Sequence, residues 1–227
     1  MKKIVVLTGA GMSAESGIKT FRESNGLWEN HNIMEVASPI GWKNNKSLVL
    51  DLYNKRRAQL LKASPNKGHK DLVKLEQHFD VTIITQNVDD LHERGGSKNV
   101  LHLHGELLKV RSTKNNQLIY DWEKDLRIGD FCEENSQLRP HIVWFGEDVP
   151  MLDKAIEITS KADILIIIGT SMQVYPAANL INFTNMTTQI YFIDPHPSID
   201  KNYYKNLKIY AEKASTGVAK IVNELID

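Results

Sequence analysis

The chain has 227 residues, 41% of them hydrophobic and 25% charged, which suffices to bury the core of one α/β domain or of a large domain with a small one inserted. Its 28 basic and 28 acidic residues cancel, so the net charge attracts neither nucleic acid nor an anionic membrane. No apolar run approaches the roughly 20 residues of a membrane helix. Cys132 is the only cysteine, which excludes an internal disulfide and fits a reducing cytoplasm. We expect a cytoplasmic monomer with no nucleic-acid or membrane partner.

Short β-branched runs predict buried strands along the chain. The first, Ile4 to Thr8, is too short for a secretion signal and ends in a glycine turn. Others follow at 81–85, 164–168 and 190–193, with helix-like segments between them. Continuous apolar strands separated by helices are typical of an α/β fold with a parallel sheet covered on both faces.

Two long interruptions separate the predicted strands. The first contains a loop at 19–32 and helical patterns at 46–61 and 67–78, since one crossover helix would not fill it. The second runs from about 107 to 140, is polar and rich in turn residues, and is bounded by Pro140. We expect it to form a small module set into the larger fold.

A glycine-rich loop follows the first predicted strand, where residues 9–14 read GAGMSA in the pattern G-x-G-x-x-A. Glycines at such a turn let the backbone approach a pyrophosphate. The same pattern also fits an ordinary tight turn from strand to helix. An acid that would bind the ribose about 20 residues later is missing, because 19–32 reads as loop. An ordinary dehydrogenase is therefore disfavoured.

Polar residues also follow two later strands. Gln86, Asn87 and Asp89 come after 81–85, and residues 169–171, GTS, come after 164–168. Such residues can be plain helix caps. Because the carboxyl ends of parallel strands meet at one sheet edge, three such loops together favour a ligand site.

The segment LHLHGE, residues 101–106, alternates as a strand does, so His102, His104 and Glu106 could share one face. Three interpretations are open. The side chains could bind a metal ion. The histidines could be hydrogen-bonded core residues. A neutral imidazole could also act as a general base near neutral pH.

Together these segments resemble the sirtuins, the family of NAD-dependent protein-lysine deacylases. The matching blocks are GAGMSAESGIKTFR (9–22), GLW (26–28), TQNVDDLHERGG (85–96), LHGEL (103–107), HIVWFGE (141–147) and GTSMQVYPAA (169–178). The resemblance implies a Rossmann-like NAD-binding domain and a small domain formed by two insertions. Its expected extents are 1–30, 67–106 and 140–227 for the first, and 31–66 and 107–139 for the second.

The resemblance also implies roles at the matching positions. His104 matches the general base, with Asn87 beside it in the pocket where nicotinamide leaves. Val143, Trp144 and Phe145 lie in the segment that pairs with the substrate backbone as an added strand. The positions implied to bind NAD are Gly9, Ala10, Gly11, Ser13, Glu15, Phe21, Arg22, Trp28, Gln86, Asn87, Asp89, Gly169, Thr170, Ser171, Asp194 and Ala214.

The implied activity consumes NAD and an acyl-lysine protein or peptide. The acyl oxygen captures the ribose C1′ as nicotinamide leaves, and the base then helps a ribose hydroxyl attack the amide carbon. The products are nicotinamide, O-acyl-ADP-ribose and free lysine. The alternative is a protein ADP-ribosyltransferase or an NAD glycohydrolase, which would use the same NAD-binding residues.

Two departures from the family pattern concern the small domain and the loop before it. The family usually carries four zinc-binding cysteines there, but 109–117 holds none and Cys132 stands alone. We expect no zinc, with packing by residues such as Leu118, Tyr120 and Trp122 in its place. Lys19 stands where the family usually has proline, which makes that loop less rigid.

Tyr53 and Arg56 lie three apart on a predicted helix and so share a face. With the small residue Ala37, they resemble the sirtuins that prefer succinyl, malonyl or glutaryl groups. The tyrosine would donate a hydrogen bond to the distal carboxylate, and the arginine would bind it in bidentate fashion. The plainer interpretation is that Arg56 and Arg57 form a solvated pair.

Overall fold

A computed structural model of the chain describes residues 1–19, 27–28 and 31–227. The strands are β1 Lys3–Thr8, β2 Leu27–Trp28, β3 His31–Asn32, β4 Asp80–Thr85, β5 Val100–His102, β6 Gly105–Ser112, β7 Ile119–Asp121, β8 Leu138–Ile142, β9 Ile164–Ile168, β10 Gln189–Ile193 and β11 Leu207–Tyr210. The α-helices are α1 Ile33–Val36, α2 Pro39–Asn44, α3 Lys46–Lys62, α4 Lys67–Leu75, α5 Leu91–Gly95, α6 Leu152–Ser160 and α7 Ala214–Ile226. Within this described part, no helix has both the length and the apolar character that crossing a membrane requires.

The main sheet of the described residues has six parallel strands in the order β11-β10-β9-β1-β4-β5. Apolar residues form its centre, and every residue of β9 is buried. The pairing aligns Thr8 of β1 with Thr85 of β4 and with Ile168 of β9, and Ile168 with Ile193 of β10. The carboxyl ends of four strands therefore meet at one edge, where folds of this kind bind ligands.

Helices cover both faces of this sheet. On one face, α4 and α7 share an apolar core with Ile4 and Val6. On the other face, α6 shares a core with Val5 and Leu7. Successive residues of β1 point to opposite faces, and all four are buried because both faces are covered. The predicted α/β class with a Rossmann-like parallel sheet is confirmed.

A smaller module lies beside the sheet and has an apolar core of its own. Its helices contribute Val36 from α1, Trp42 from α2 and Tyr53 from α3. Its antiparallel sheet, in the order β7-β6-β8, contributes Leu107 and Leu138. The two interruptions of the larger fold therefore pack on each other. The exact boundaries between the two domains stay a prediction.

The alternating strand expected at 101–106 is broken in the middle. β5 ends at His102 and β6 begins at Gly105, which has a φ of 84°. A Cβ atom on Gly105 would lie 2.0 Å from the carbonyl oxygen of His141, so only glycine fits this turn. The chain leaves the parallel sheet here and enters the antiparallel one. The prediction that His102, His104 and Glu106 share one strand face was wrong for this reason.

Two smaller differences concern element boundaries. The helix expected over 67–78 ends at Leu75, where the N–H of His78 bonds the carbonyl of Leu75 at 3.0 Å in a turn. The loop expected over 19–32 contains the antiparallel pair β2 and β3, in which Trp28 is paired with His31.

Side chains of α3 tie the module together through the backbone. Asn54 donates to the carbonyl of Leu126 at 3.0 Å and accepts from its N–H at 2.9 Å. Arg57, only 1% exposed, donates to the Leu107 carbonyl at 3.2 Å and to Asn54 Oδ1 at 2.8 Å. Burial lowers the pKa of Arg57 to about 10, with Asp125 opposing the shift. The interpretation of Arg56 and Arg57 as a solvated pair was therefore wrong.

Apolar packing completes the module. Leu118, Tyr120 and Trp122 are partly buried against its core. Cys132 is buried as well, with its thiol 3.4 Å from Ser112 Oγ. Among the described residues, no three or more histidine, cysteine or acidic side chains are grouped to hold a metal ion.

We predict that the hydrogen bonds of Asn54 and Arg57, and not zinc, stabilise the module. Asn54→Ala should lower the free energy of unfolding by about 2 kcal/mol, because it breaks two bonds to Leu126 and leaves Arg57 short of an acceptor. A chelator should leave the Tm unchanged, and metal analysis should find far less than one zinc per chain. Stoichiometric zinc, together with a Tm that falls on chelation, would contradict this.

Candidate functional site

A cavity of about 800 Å³ lies at the carboxyl edge of the parallel sheet. The loops after β1, β4, β9 and β10 line one side of it, and α3 and the segment 142–147 line the other. The larger domain and the small module thus both contribute walls. This is the size and position expected of a site for small-molecule ligands.

The glycine loop after β1 packs directly against the turn after β9. Gly9 N donates to the Ile168 carbonyl at 3.0 Å, and Gly11 N donates to the Gly169 carbonyl at 2.8 Å. Cβ atoms on Gly9 and Gly11 would lie 2.8 Å and 2.7 Å from atoms of Gly169. The loop continues in short 3-10 turns, Ala10–Met12 and Ala14–Ser16, instead of an α-helix. The glycines are therefore needed for contact between the two loops.

Three polar side chains converge between the β1 and β4 loops. Asn87 Nδ2 donates to Ser13 Oγ at 3.1 Å, and Ser13 Oγ donates to Asp89 Oδ2 at 2.9 Å. The N–H of Leu91 donates to the other carboxylate oxygen of Asp89 at 3.2 Å. Burial raises the pKa of Asp89, although the bond from Ser13 opposes the shift. This network fixes the amide of Asn87 at the cavity wall.

Other expected residues lie along the same sheet edge. Gln86 Nε2 donates to Thr170 Oγ1 at 3.3 Å, which joins the β4 and β9 loops. Asp194 is 3% exposed, directly after β10, and accepts from the N–H of His196 at 2.8 Å. Glu15 accepts from the N–H of Ser215 at 2.9 Å and holds the start of α7. The cavity is also lined by Ala10, Ser171 and Ala214.

His104 faces this cavity from the turn between β5 and β6. Its Nδ1 lies 3.0 Å from the carbonyl oxygen of Gln86, which can only accept. Nδ1 therefore carries the proton, and Nε2 has the lone pair. Burial lowers the pKa of His104, with the Gln86 carbonyl opposing, so the ring is neutral at neutral pH.

His102 has different surroundings. It lines a second cavity of about 290 Å³ with Glu106, and its Nε2 lies 2.7 Å from a carboxylate oxygen of Glu93. Burial acts against the charged ring, but the bond to Glu93 and its charge prevail and raise the pKa of His102. His102 is therefore a hydrogen-bonded structural residue, and its neighbour His104 is the histidine that faces the large cavity.

The small module brings Ala37, Tyr53 and Arg56 to the same cavity. Tyr53 is fully buried and Arg56 half-buried, one helical turn apart on α3. The hydroxyl of Tyr53 accepts from Trp144 Nε1 at 2.9 Å. A phenol and a guanidinium in one partly enclosed wall are suited to a carboxylate ligand.

The segment Val143 to Phe145 is tied to the rest of the chain through its N–H groups. Val143 donates to the His104 carbonyl at 2.9 Å, and Phe145 donates to the Ala37 carbonyl at 2.9 Å. Trp144 N donates to Glu147 Oε2 at 2.8 Å. All three N–H groups are therefore bonded within the chain, and the Trp144 carbonyl also accepts from the N–H of Glu147 at 3.0 Å.

Three of the residues predicted to bind NAD are not described as side chains. Phe21 and Arg22 fall outside the described residues, and Trp28 is described only as backbone in β2.

Sequence patterns missed the ion cluster behind Trp144, in which Arg139 donates to Glu147 at 2.6 Å and 3.0 Å. Arg111 joins it at 3.3 Å from the neighbouring strand. Only the register of β6 with β8 brings the two arginines together.

The comparisons with known proteins agree with this geometry. A sequence model of the Sir2 family matches residues 9–176. An NAD-dependent protein deacylase of Helicobacter pylori is 56% identical over 227 residues, covering 100% of this chain and 99% of the relative. One of Bacteroides thetaiotaomicron is 48% identical over 232 residues, covering 100% and 99%. The crystal structure of a Sir2 homolog–NAD complex has a TM-score of 0.89 and 38% identity, covering 99% of this chain and 90% of that chain.

The parallel sheet, the small module and the cavity between them define an α/β protein of the sirtuin type. The chain belongs to the Sir2 family.

Two buried histidines, His69 and His92, predict a loss of stability in mild acid. Burial lowers the pKa of His69 to about 4 and that of His92 well below its usual value. Unfolding exposes these rings at an ordinary pKa of about 6.5, so the unfolded chain takes up protons as the pH falls below that value. Stability is lost from about pH 6.5 downward, and His69 alone contributes about 2 kcal/mol between pH 7 and pH 5. The raised pKa of His102 has the opposite effect, because it adds stability as the pH falls.

Denaturant unfolding at pH 7 and pH 5 tests this with the variant His69→Gln. Glutamine can keep the acceptor for the Asn66 N–H at the start of α4 but does not titrate. The loss of unfolding free energy between the two pH values should shrink by about 2 kcal/mol in this variant. An equal loss in the variant and the wild type would show that His69 is not responsible.

Proposed function

We propose that the chain is an NAD-dependent protein-lysine deacylase. The observation that carries this is the position of His104, a neutral base that faces one cavity shared by the sheet-edge loops and the Tyr53–Arg56 wall. The loops supply a dinucleotide site, and the module supplies an acyl site. The deacylase names of the relatives and the NAD complex of the related structure support the same activity.

The residues at the sheet edge fit NAD. Asp194 is a buried carboxylate after β10, so it can accept from ribose hydroxyls, in place of the acid missing after the glycine loop. Asn87 presents an amide fixed by Ser13, which suits a carboxamide or a ribose. When bound, NAD supplies a nicotinamide–ribose bond whose cleavage exposes C1′ to an acyl oxygen. The proposed NAD-binding set is the one named from the sequence.

His104 would accept a proton from a ribose hydroxyl at Nε2. The Gln86 carbonyl holds Nδ1–H, which sets both the tautomer and the direction of the ring. Because burial lowers its pKa, the imidazole stays an acceptor at neutral pH. Asn87 lies on the adjacent wall and would orient the ribose and the carboxamide.

His104→Ala should lower deacylation turnover by about 100-fold or more while NAD still binds, because only the base is lost. The matched control is His78→Ala, which removes an exposed imidazole on the loop after α4. In the wild type, the acidic limb of kcat/KM should lie below pH 6.5, following the lowered pKa of His104. Near-normal turnover in His104→Ala would remove His104 from the mechanism.

The acyl group would enter between Ala37, Tyr53 and Arg56. A distal carboxylate loses water on entry, which is costly unless it is paired. The half-buried guanidinium of Arg56 can offset that cost with two charge-assisted bonds, and Tyr53 can add a third. We therefore propose that succinyl, malonyl or glutaryl groups are preferred over acetyl. Val143, Trp144 and Phe145 would guide the peptide along their backbone, mainly through the carbonyls of Val143 and Phe145, because that of Trp144 already accepts from Glu147.

Arg56→Met should lower kcat/KM for succinyl-lysine peptides. The loss corresponds to about 2–4 kcal/mol of transition-state stabilisation and should be much smaller for acetyl-lysine. Arg57→Met is the matched control, since Arg57 bonds the module backbone and does not line the cavity. It should lower stability and leave the succinyl-to-acetyl ratio unchanged. Equal losses on both peptides in Arg56→Met would make Arg56 structural, and the proposed acyl preference would be withdrawn.

A further inference from the structure

The indole of Trp144 is held on several sides. It is 2% exposed, and the guanidinium of Arg139 lies 3.3 Å from its ring centroid. The ring of Trp42 lies 5.7 Å away, centroid to centroid, at an angle of 42°. The backbone N–H of Trp144 is bound to Glu147, which also binds Arg139. These contacts leave the indole one orientation.

The direction of one hydrogen bond follows from this orientation. An indole N–H can only donate, so the Tyr53 oxygen must accept in the 2.9 Å contact with Trp144 Nε1. The single proton of the Tyr53 hydroxyl is therefore directed away from Trp144. Burial raises the pKa of Tyr53, although the charge of Arg56 opposes this, so the phenol keeps its proton at neutral pH.

We propose that Trp144 is a positioning residue for acyl specificity, because its indole N–H sets Tyr53 as a donor toward an acyl carboxylate held by Arg56. The proposal rests on the proposed deacylase function and extends it to a residue expected to contact substrate only through its backbone. Trp144 acts through Tyr53, with no direct contact to the carboxylate. The Arg139–Glu147 pair contributes indirectly, by holding the indole in place.

Trp144 also couples acyl choice to the segment Val143 to Phe145. Its backbone lies between those of Val143 and Phe145, whose N–H groups donate to the carbonyls of His104 and Ala37. Trp144 therefore connects its own segment to the turn that carries His104 and to the cavity wall formed by Tyr53 and Arg56. Movement of this segment would change the direction of the Tyr53 hydroxyl as well.

The test is a double-mutant cycle of Trp144→Phe and Tyr53→Phe on matched succinyl-lysine and acetyl-lysine peptides. Phenylalanine keeps an aromatic ring beside Arg139 but lacks the N–H. The readout is the succinyl-to-acetyl ratio of kcat/KM, in which losses common to both peptides cancel. Trp144→Phe should lower this ratio about fivefold or more with Tyr53 present, and by less than about twofold in the Tyr53→Phe background.

An unchanged ratio in Trp144→Phe would overturn the proposal, as would an equal drop in both backgrounds, since Trp144 would then act by packing alone. Dissociation constants of the two peptides, measured by calorimetry for the same four proteins, give a readout independent of turnover. If the wild type removed no acyl group with NAD, the proposed function would fail. The ratio of dissociation constants would then support or reject the role of Trp144 by the same criteria.

Discussion

Close contact between two glycine turns determines the shape of the cavity. Gly169 has a φ of 62°, and a Cβ atom there would lie 2.4 Å from the N–H nitrogen of Met12. Any side chain at Gly9, Gly11 or Gly169 would force the β1 and β9 loops apart. Ser13 follows on the first loop and depends on this contact for its position beside Asn87 and Asp89. The parallel register then brings the β10 loop and Asp194 to the same edge.

The small module depends on a different kind of interaction. Its helix α3 presents Tyr53 and Arg56 to the cavity and Asn54 and Arg57 to the module backbone. One helix thus joins the cavity wall to the antiparallel sheet. Buried cations on polar acceptors are costly to expose or to leave without partners, so this arrangement favours one fixed position of the helix. A rigid wall lowers the entropic cost of ordering the site around a bound ligand.

The sequence predicted the central fold well, because β1, β4, β9 and β10 are apolar runs that only a doubly covered sheet can bury. It missed β11, a short edge strand with a weaker pattern. The break at Gly105 was missed because the alternation of LHLHGE matches a strand, and only the approach of His141 excludes one. The burial of Arg57 was missed because adjacent arginines give no signal of which one faces inward.

Some residues of the candidate site were predicted from the sequence, and others are visible only in the folded chain. Asn87 was predicted as a site residue because strand ends converge in a parallel sheet, whereas Asp194 was predicted only from the family resemblance. The cluster of Arg111, Arg139 and Glu147 depends on cross-strand register and on a turn, which no local pattern encodes. The bond from Trp144 to Tyr53 joins residues 91 positions apart and is visible only in the folded chain.

Mass spectrometry of all products formed from NAD and an acyl-lysine peptide tests the proposed deacylation most directly. We predict that deacylated peptide, nicotinamide and O-acyl-ADP-ribose appear together in equal amounts, with the acyl group transferred to the ADP-ribose. A peptide that keeps its acyl group and gains ADP-ribose would contradict it. So would release of nicotinamide and free ADP-ribose with the peptide unchanged.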